Sequence, residues 1–137
     1  MKLHIKPTLQ ISDIQQEFNS FYPYLKLEFY QKQSTGKPGL SVSSIMPHNR
    51  RIGDCQTAVT DGVLEVNNEM KVSDLEKKLK DSFHLNAQVF RRSGTIWLQT
   101  TITDDWTLDK QNKHGMEISH PARTPIINDE ITDLDNQ

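Results

Sequence analysis

The stretch VFRRSGTIWLQTTITDDWTL (residues 89–108) decides the fold. Side chains of a strand point to opposite faces in turn, and the runs on either side of Ser93-Gly94 alternate in that way. Ser93-Gly94 suits a two-residue turn, because glycine tolerates the positive φ that such a turn demands. This turn pairs Arg92 with Thr95, Arg91 with Ile96, Phe90 with Trp97, Val89 with Leu98 and Gln88 with Gln99. Ala87, Val89, Ile96 and Leu98 then share one face, and Phe90 and Trp97 share the other with Gln88, Arg92 and Gln99. A helix-backed antiparallel sheet has one dry face and one wet face. The aliphatic face is the dry one, so an aromatic pair is left where water is expected.

Upstream of this hairpin the same unit is read twice. KLHIKP alternates as a strand, ISDIQQEFNSFYPYL is an amphipathic helix ended by Pro23, and LKLEFYQ and LSVSSI are strands around the STGKPG turn. At an offset of 61 residues, Leu64 and Val66 match Leu3 and Ile5, and Met70 and Val72 match Leu9 and Ile11. Ser12 with Gln15 and Ser73 with Glu76 have capping-box spacing, and Phe90 falls on Phe29 without a gap. Two units obeying the same physics would look alike without any duplication, so the repeat remains one of two readings. The expected fold is α+β: two strand-helix-strand-strand units, residues 1–45 and 62–102, forming a mixed, mainly antiparallel sheet with both helices on one face. A short helix over 104–114, stopped by Gly115, completes a single domain of residues 1–115. Residues 116–137 read as a polar acidic tail, extended or disordered.

Composition narrows the function classes. The 137 residues suffice for one core, and 34% apolar content leaves room for a polar extension. Net charge is −2; residues from Glu117 onward hold five of the 18 acids and one of the 16 bases, so the preceding chain has 13 acids against 15 bases. Neither value is the strong field of a dedicated nucleic-acid binder. The single Cys55 cannot make an internal disulfide, no run reaches transmembrane length, and MKLHIKPTLQ lacks the apolar core of a secretory signal. The expectation is a cytoplasmic protein with no membrane association.

The chemistry-bearing residues are few. Cys55 with His48 would need contact and a lowered thiol pKa to act as a nucleophile, whereas a half-buried apolar role explains Cys55 as well. Asp104 and Asp105 fit a helix start. The five histidines have no metal-ligand spacing, so neither metal nor cofactor is expected. What remains is the aromatic face. Trp106 and Leu108 could fold over Phe90 and Trp97; a partner protein or a second copy could cover them; or bases of single-stranded nucleic acid could stack there, with Arg91, Arg92, Arg50, Arg51, Lys32 and Lys37 as the basic complement. The leading reading is a non-enzymatic protein-interaction or scaffold module acting through Phe90, Trp97, Arg91, Arg92 and Trp106, or through self-association. Nucleic-acid binding is the alternative, and an enzyme using Cys55 stands third.

The segment VFRRSGTIWLQTTITDDWTLDKQN (residues 89–112) resembles one that recurs in small uncharacterised bacterial α+β proteins, with the helix VSDLEKKLKDSFHL in the same place before it. The similarity covers most of the chain up to Gly115. It implies a bacterial origin and a shared fold; it attaches no activity and transfers no site residue.

Overall fold

The structure, a computed structural model, describes residues 1–34 and 41–120. The STGKPG turn with Lys37 falls largely outside this range, as does the expected tail from residue 121. The elements in chain order are β1 (Lys2–Ile5), α1 (Ile11–Phe21), β2 (Leu25–Ser34), β3 (Ser41–Ile45), a 3-10 turn (Ile52–Asp54), β4 (Gly62–Glu65), α2 (Val72–Phe83), β5 (Asn86–Ser93), β6 (Ile96–Gln99) and α3 (Leu108–Ser119).

Antiparallel pairing of β2 with β5 forms the centre, in the register Leu25↔Arg91, Leu27↔Val89 and Phe29↔Ala87. Directly paired residues point the same way, so Leu25, Leu27, Phe29, Ala87 and Val89 make one apolar face. All five are buried in one cluster with the helix stripes Ile11, Ile14 and Phe18 of α1 and Val72, Leu75, Leu79 and Phe83 of α2. The fold is α+β, but the strands do not make the one mixed sheet expected. A four-stranded sheet has the order β3-β2-β5-β6, and β1 pairs with β4 in a separate two-stranded ribbon. Every strand pairing described is antiparallel.

The helices show why β1 stays out of the main sheet. Gln15 Nε2 and Asn19 Nδ2 of α1 donate to the carbonyls of Leu27 and Leu25 at 2.6 and 3.0 Å. On the other side Glu76 Oε2 of α2 accepts from Val89 N at 2.9 Å. Side chains thus satisfy edge groups that further strands would otherwise take. Gln15 and Glu76 are the residues expected to close capping boxes. Instead the helices begin after Gln10 and Lys71, whose backbone N–H groups donate to Asp13 and Asp74 at 2.9 and 3.3 Å. A carboxylate in the first turn also suits the positive end of the helix dipole.

Around the helix starts, bonds recur at corresponding places. Ile11 N donates to Arg50 O and Val72 N to Trp106 O; Ile52 N donates to Leu9 O and Leu108 N to Met70 O. The match of Phe29 with Phe90 does not hold. Phe29 lies on the buried face, whereas Phe90 is paired with Lys26 on the opposite face. The helix ends explain the change of phase: α1 has 11 residues and stops at Tyr22, whereas α2 has 12 and ends on His84 in the left-handed conformation, φ 56°. One residue of difference exchanges the faces of the following strand.

Gly115 does not stop the last helix. Thr107 caps α3 by accepting from Lys110 N at 3.1 Å, and the helix runs through Gly115 to Ser119, so its last residues belong to the domain rather than to a tail. Here glycine permits close approach: a Cβ at residue 115 would stand 2.8 Å from Tyr24 Cβ and 3.0 Å from Arg91 Cγ. Gly115→Ala therefore sets a gain of about 1 kcal/mol in helix propensity against overpacking that costs about 1–3 kcal/mol. Since Tyr24 Cβ is tied to its backbone, a net loss is expected in urea denaturation. A more stable variant would show that the contact yields.

Candidate functional site

The β5–β6 turn is Gly94-Thr95, not Ser93-Gly94. Ser93 pairs with Ile96, Arg92 with Trp97, Arg91 with Leu98 and Phe90 with Gln99. Gly94 takes the first turn position with φ +64°, where a side chain would be strained. The register moves by two residues, so every side chain keeps its face. Phe90 and Trp97 share the wet face as diagonal neighbours rather than as a direct pair.

What lies over them is Lys26. It is opposite Phe90 on β2, and its Nζ stands 5.8 Å from the Phe90 ring centre and 5.1 Å from that of Trp97. The same ammonium meets Glu28 Oε2 at 3.0 Å, and Glu28 is buried. Gln15 Nε2 donates to the other Glu28 oxygen at 3.2 Å, and His48 Nε2 lies 3.8 Å from it. One ammonium, set between two rings and a carboxylate, lets a single side chain shelter two aromatics and pair with a buried acid.

Trp106 does not join this face. Its ring meets His114 edge-on at 5.4 Å, with Lys110 Nζ 4.2 Å from its centre, while Leu108 is buried in the core. Arg91 is also elsewhere. It points to the helix side, where Nη1 donates to Gln111 at 2.9 Å and Gly115 lies against its stem. Arg91 Nε is buried without a partner among the described residues, and this burial pulls the guanidinium below its usual range. Arg92 remains on the wet face and donates from Nε to the Gly94 carbonyl at 2.8 Å. Of the five residues expected to form the site, the structure thus brings together Phe90, Trp97 and Arg92.

Tyr30 and Ile45, not singled out in the sequence, extend the surface beside Gln88 and Gln99. Tyr30 pairs with Asn86 and Ile45, and Gln99 Nε2 lies 3.4 Å from its hydroxyl. Burial raises the Tyr30 phenol pKa against that hydrogen bond, and the carboxylates of Glu28 and Glu76 raise it further. Gln88 faces Glu28 across the strands, and its Oε1 is buried with no partner among the described residues. Ile45 is 53% exposed. Where β6 ends, the wet face opens into a groove of about 670 Å³ between Tyr30, Ile45, Gln88 and Gln99 and the α2 residues Glu76 and Lys80. The sequence signal for Lys26 and Tyr30 was the alternation of LKLEFYQ, which sets both opposite the buried leucines; their strand partner was not legible.

Cys55 is buried, with its Sγ 3.6 Å from the Arg51 carbonyl. Burial, with Asp54 beside it, pushes the thiol up, away from the thiolate that a nucleophile requires. His48 directs Nε2 to Glu28. The backbone carbonyl of Asp104 accepts from Ser73 N at 2.8 Å. Among the described residues, no three His, Cys, Asp or Glu side chains converge to hold a metal, and no helix is long and apolar enough to cross a membrane. Comparison with protein-family models, with curated proteins and with solved structures finds no match to this chain.

Glu76, between the groove and the β5 edge, titrates above the ordinary carboxylate value of 4.5, because burial outweighs the bond from Val89 N. A folded pKa above the unfolded one gives stability that is complete below pH 4.5 and lost as pH rises through the elevated value. Glu76→Gln keeps an acceptor for Val89 N and removes this loss. Urea midpoints should show the variant gaining on the wild type between about pH 4 and pH 7. An unchanged difference would show that the carboxylate is not destabilised by burial.

Proposed function

We propose that this protein is a non-enzymatic interaction module that binds another polypeptide through the wet face of β2, β5 and β6. The observation that carries this reading is the row from Trp97 and Phe90 through Gln99 and Tyr30 to Ile45, which among the described residues has Lys26 over one end and the groove at the other. Aromatic residues beside arginine supply most of the binding energy at protein interfaces. A lysine beside such rings keeps them from open water in the free protein, and the cation–π contact that a partner would replace is worth only about 0.5–1 kcal/mol at a surface.

Stacking of nucleic-acid bases is supported less well. A base would have to take the ring positions over which Lys26 stands, and Arg91, counted among the basic residues for that reading, packs beneath α3 instead. The Cys55 enzyme reading lacks an observed base at the sulfur.

A photo-crosslinking benzoylphenylalanine at position 97, in cells producing the protein, should give protein adducts that are absent when the same residue replaces the exposed Lys113 on α3. Nucleic-acid adducts at 97, or equal labelling from both positions, would overturn the proposal.

A further inference from the structure

We infer that the partner of this surface is a second copy of the chain, joined through the open edge of β6. This rests on the reading of the wet face as a polypeptide-binding surface and adds the occupant and the geometry. Among the described residues the sheet ends at β6. Ser93 and Ile96 flank a two-residue turn and form its mutually bonded pair, as do Arg91 and Leu98, so Ile96 and Leu98 direct their backbone groups to β5. Trp97 and Gln99 therefore present theirs outward.

This edge lacks the features that normally keep edges apart. Residues 94–103, GTIWLQTTIT, contain neither a charge nor a proline. The β1–β4 ribbon carries Lys2, His4 and Glu65 among its exposed residues. On β6, Ile96 is 56% and Leu98 41% exposed on the helix side of the sheet, with the half-buried Trp97 on the other, so the strand is apolar on both faces. It is also self-complementary. An antiparallel two-fold with Trp97 on the axis sets Ile96 of each copy opposite Leu98 of the other and lets the Trp97 backbones bond reciprocally.

Charge favours the antiparallel arrangement over a parallel one. The Arg92 guanidinium is held at the turn end by Gly94 O, and Asp104 and Asp105 follow the uncharged run at its other end. Antiparallel edges bring unlike ends together. The contact is small: a four-residue edge covers a few hundred Å² per copy, against roughly 800 Å² in a stable complex. Association is therefore weak and reversible, with a dissociation constant of the order of 10–500 µM.

Sedimentation equilibrium of the full chain should show the average mass rising from one chain towards two over about 5–1000 µM. Over the same range, amide exchange at Trp97 and Gln99 should slow with concentration. Ile96→Lys, at an exposed position, should weaken association at least tenfold while leaving the thermal midpoint of the dilute protein unchanged. Equimolar Ile96→Cys and Leu98→Cys proteins, oxidised with diamide, should cross-link to each other far better than either does alone. Monomeric mass throughout, with Trp97 and Gln99 exchanging freely, would overturn the second copy and leave the face open to a different protein. Monomeric mass with both amides protected at every concentration would also overturn it, since the chain would then be covering its own edge. Dimerisation unaffected by Ile96→Lys would overturn the assignment to β6. Loss of the position-97 adducts, by contrast, would remove the interaction reading itself.

Discussion

The antiparallel pairing of Leu25–Tyr30 residues with Asn86–Arg91 residues is the constraint on which the rest depends. Its phase sends Leu25, Leu27, Phe29, Ala87 and Val89 into the core with the stripes of α1 and α2. A slip by one residue on either strand would turn its apolar set out to water, at about 1.5–3 kcal/mol for each large side chain. Gln15, Asn19 and Glu76 reinforce the phase by holding particular backbone groups of β2 and β5 from the flanking helices. Once it is fixed, Lys26, Glu28, Tyr30, Gln88 and Phe90 have no choice of side.

The character of the wet face follows from that compulsion. Glu28 is buried, and Lys26, two residues away on the same face, pairs with its carboxylate while its ammonium also stands beside the Phe90 and Trp97 rings. One flexible side chain thus closes a surface that a rigid one would have sealed. On the helix side the complementary problem is solved by α3. There Arg91 is fixed by Gln111 and packed against Gly115, and Ser119 accepts from Gly94 N at the hairpin turn. The hairpin is therefore anchored from the helix side, while among the described residues its outer strand has no further strand partner.

Much of this was legible in the sequence because periodicity reports faces. The alternation around Val89 separated Phe90 and Trp97 from the aliphatic residues correctly even though the turn was misplaced, since a shift of two residues preserves every face. Features that depend on contacts between distant segments were not legible. Ser12 and Ser73 have capping-box spacing, yet Asp13 and Asp74 take the cap, and Gln15 and Glu76 are drawn to strands that sequence spacing cannot locate. Phe29 and Phe90 align by count, but the left-handed end of α2 puts them on opposite faces. Gly115 reads as a stop and serves as a point of close approach to Tyr24. Lys26 looked like any solvated lysine of a strand, because its two rings arrive from 64 and 71 residues further along the chain.

The most direct test of this account is the fluorescence of Trp97 alone, in a Trp106→Phe protein diluted below the range of self-association, with Lys26 intact and with Lys26→Ala. With Lys26 present, emission should lie between the buried and exposed limits, with partial quenching by iodide. Its removal should shift emission to the red and raise the quenching constant while the far-ultraviolet circular dichroism stays the same. Blue-shifted emission, unquenched whether or not Lys26 is present, would contradict the account, because the aromatic pair would then be sealed by the folded body and could not be the surface through which this protein acts.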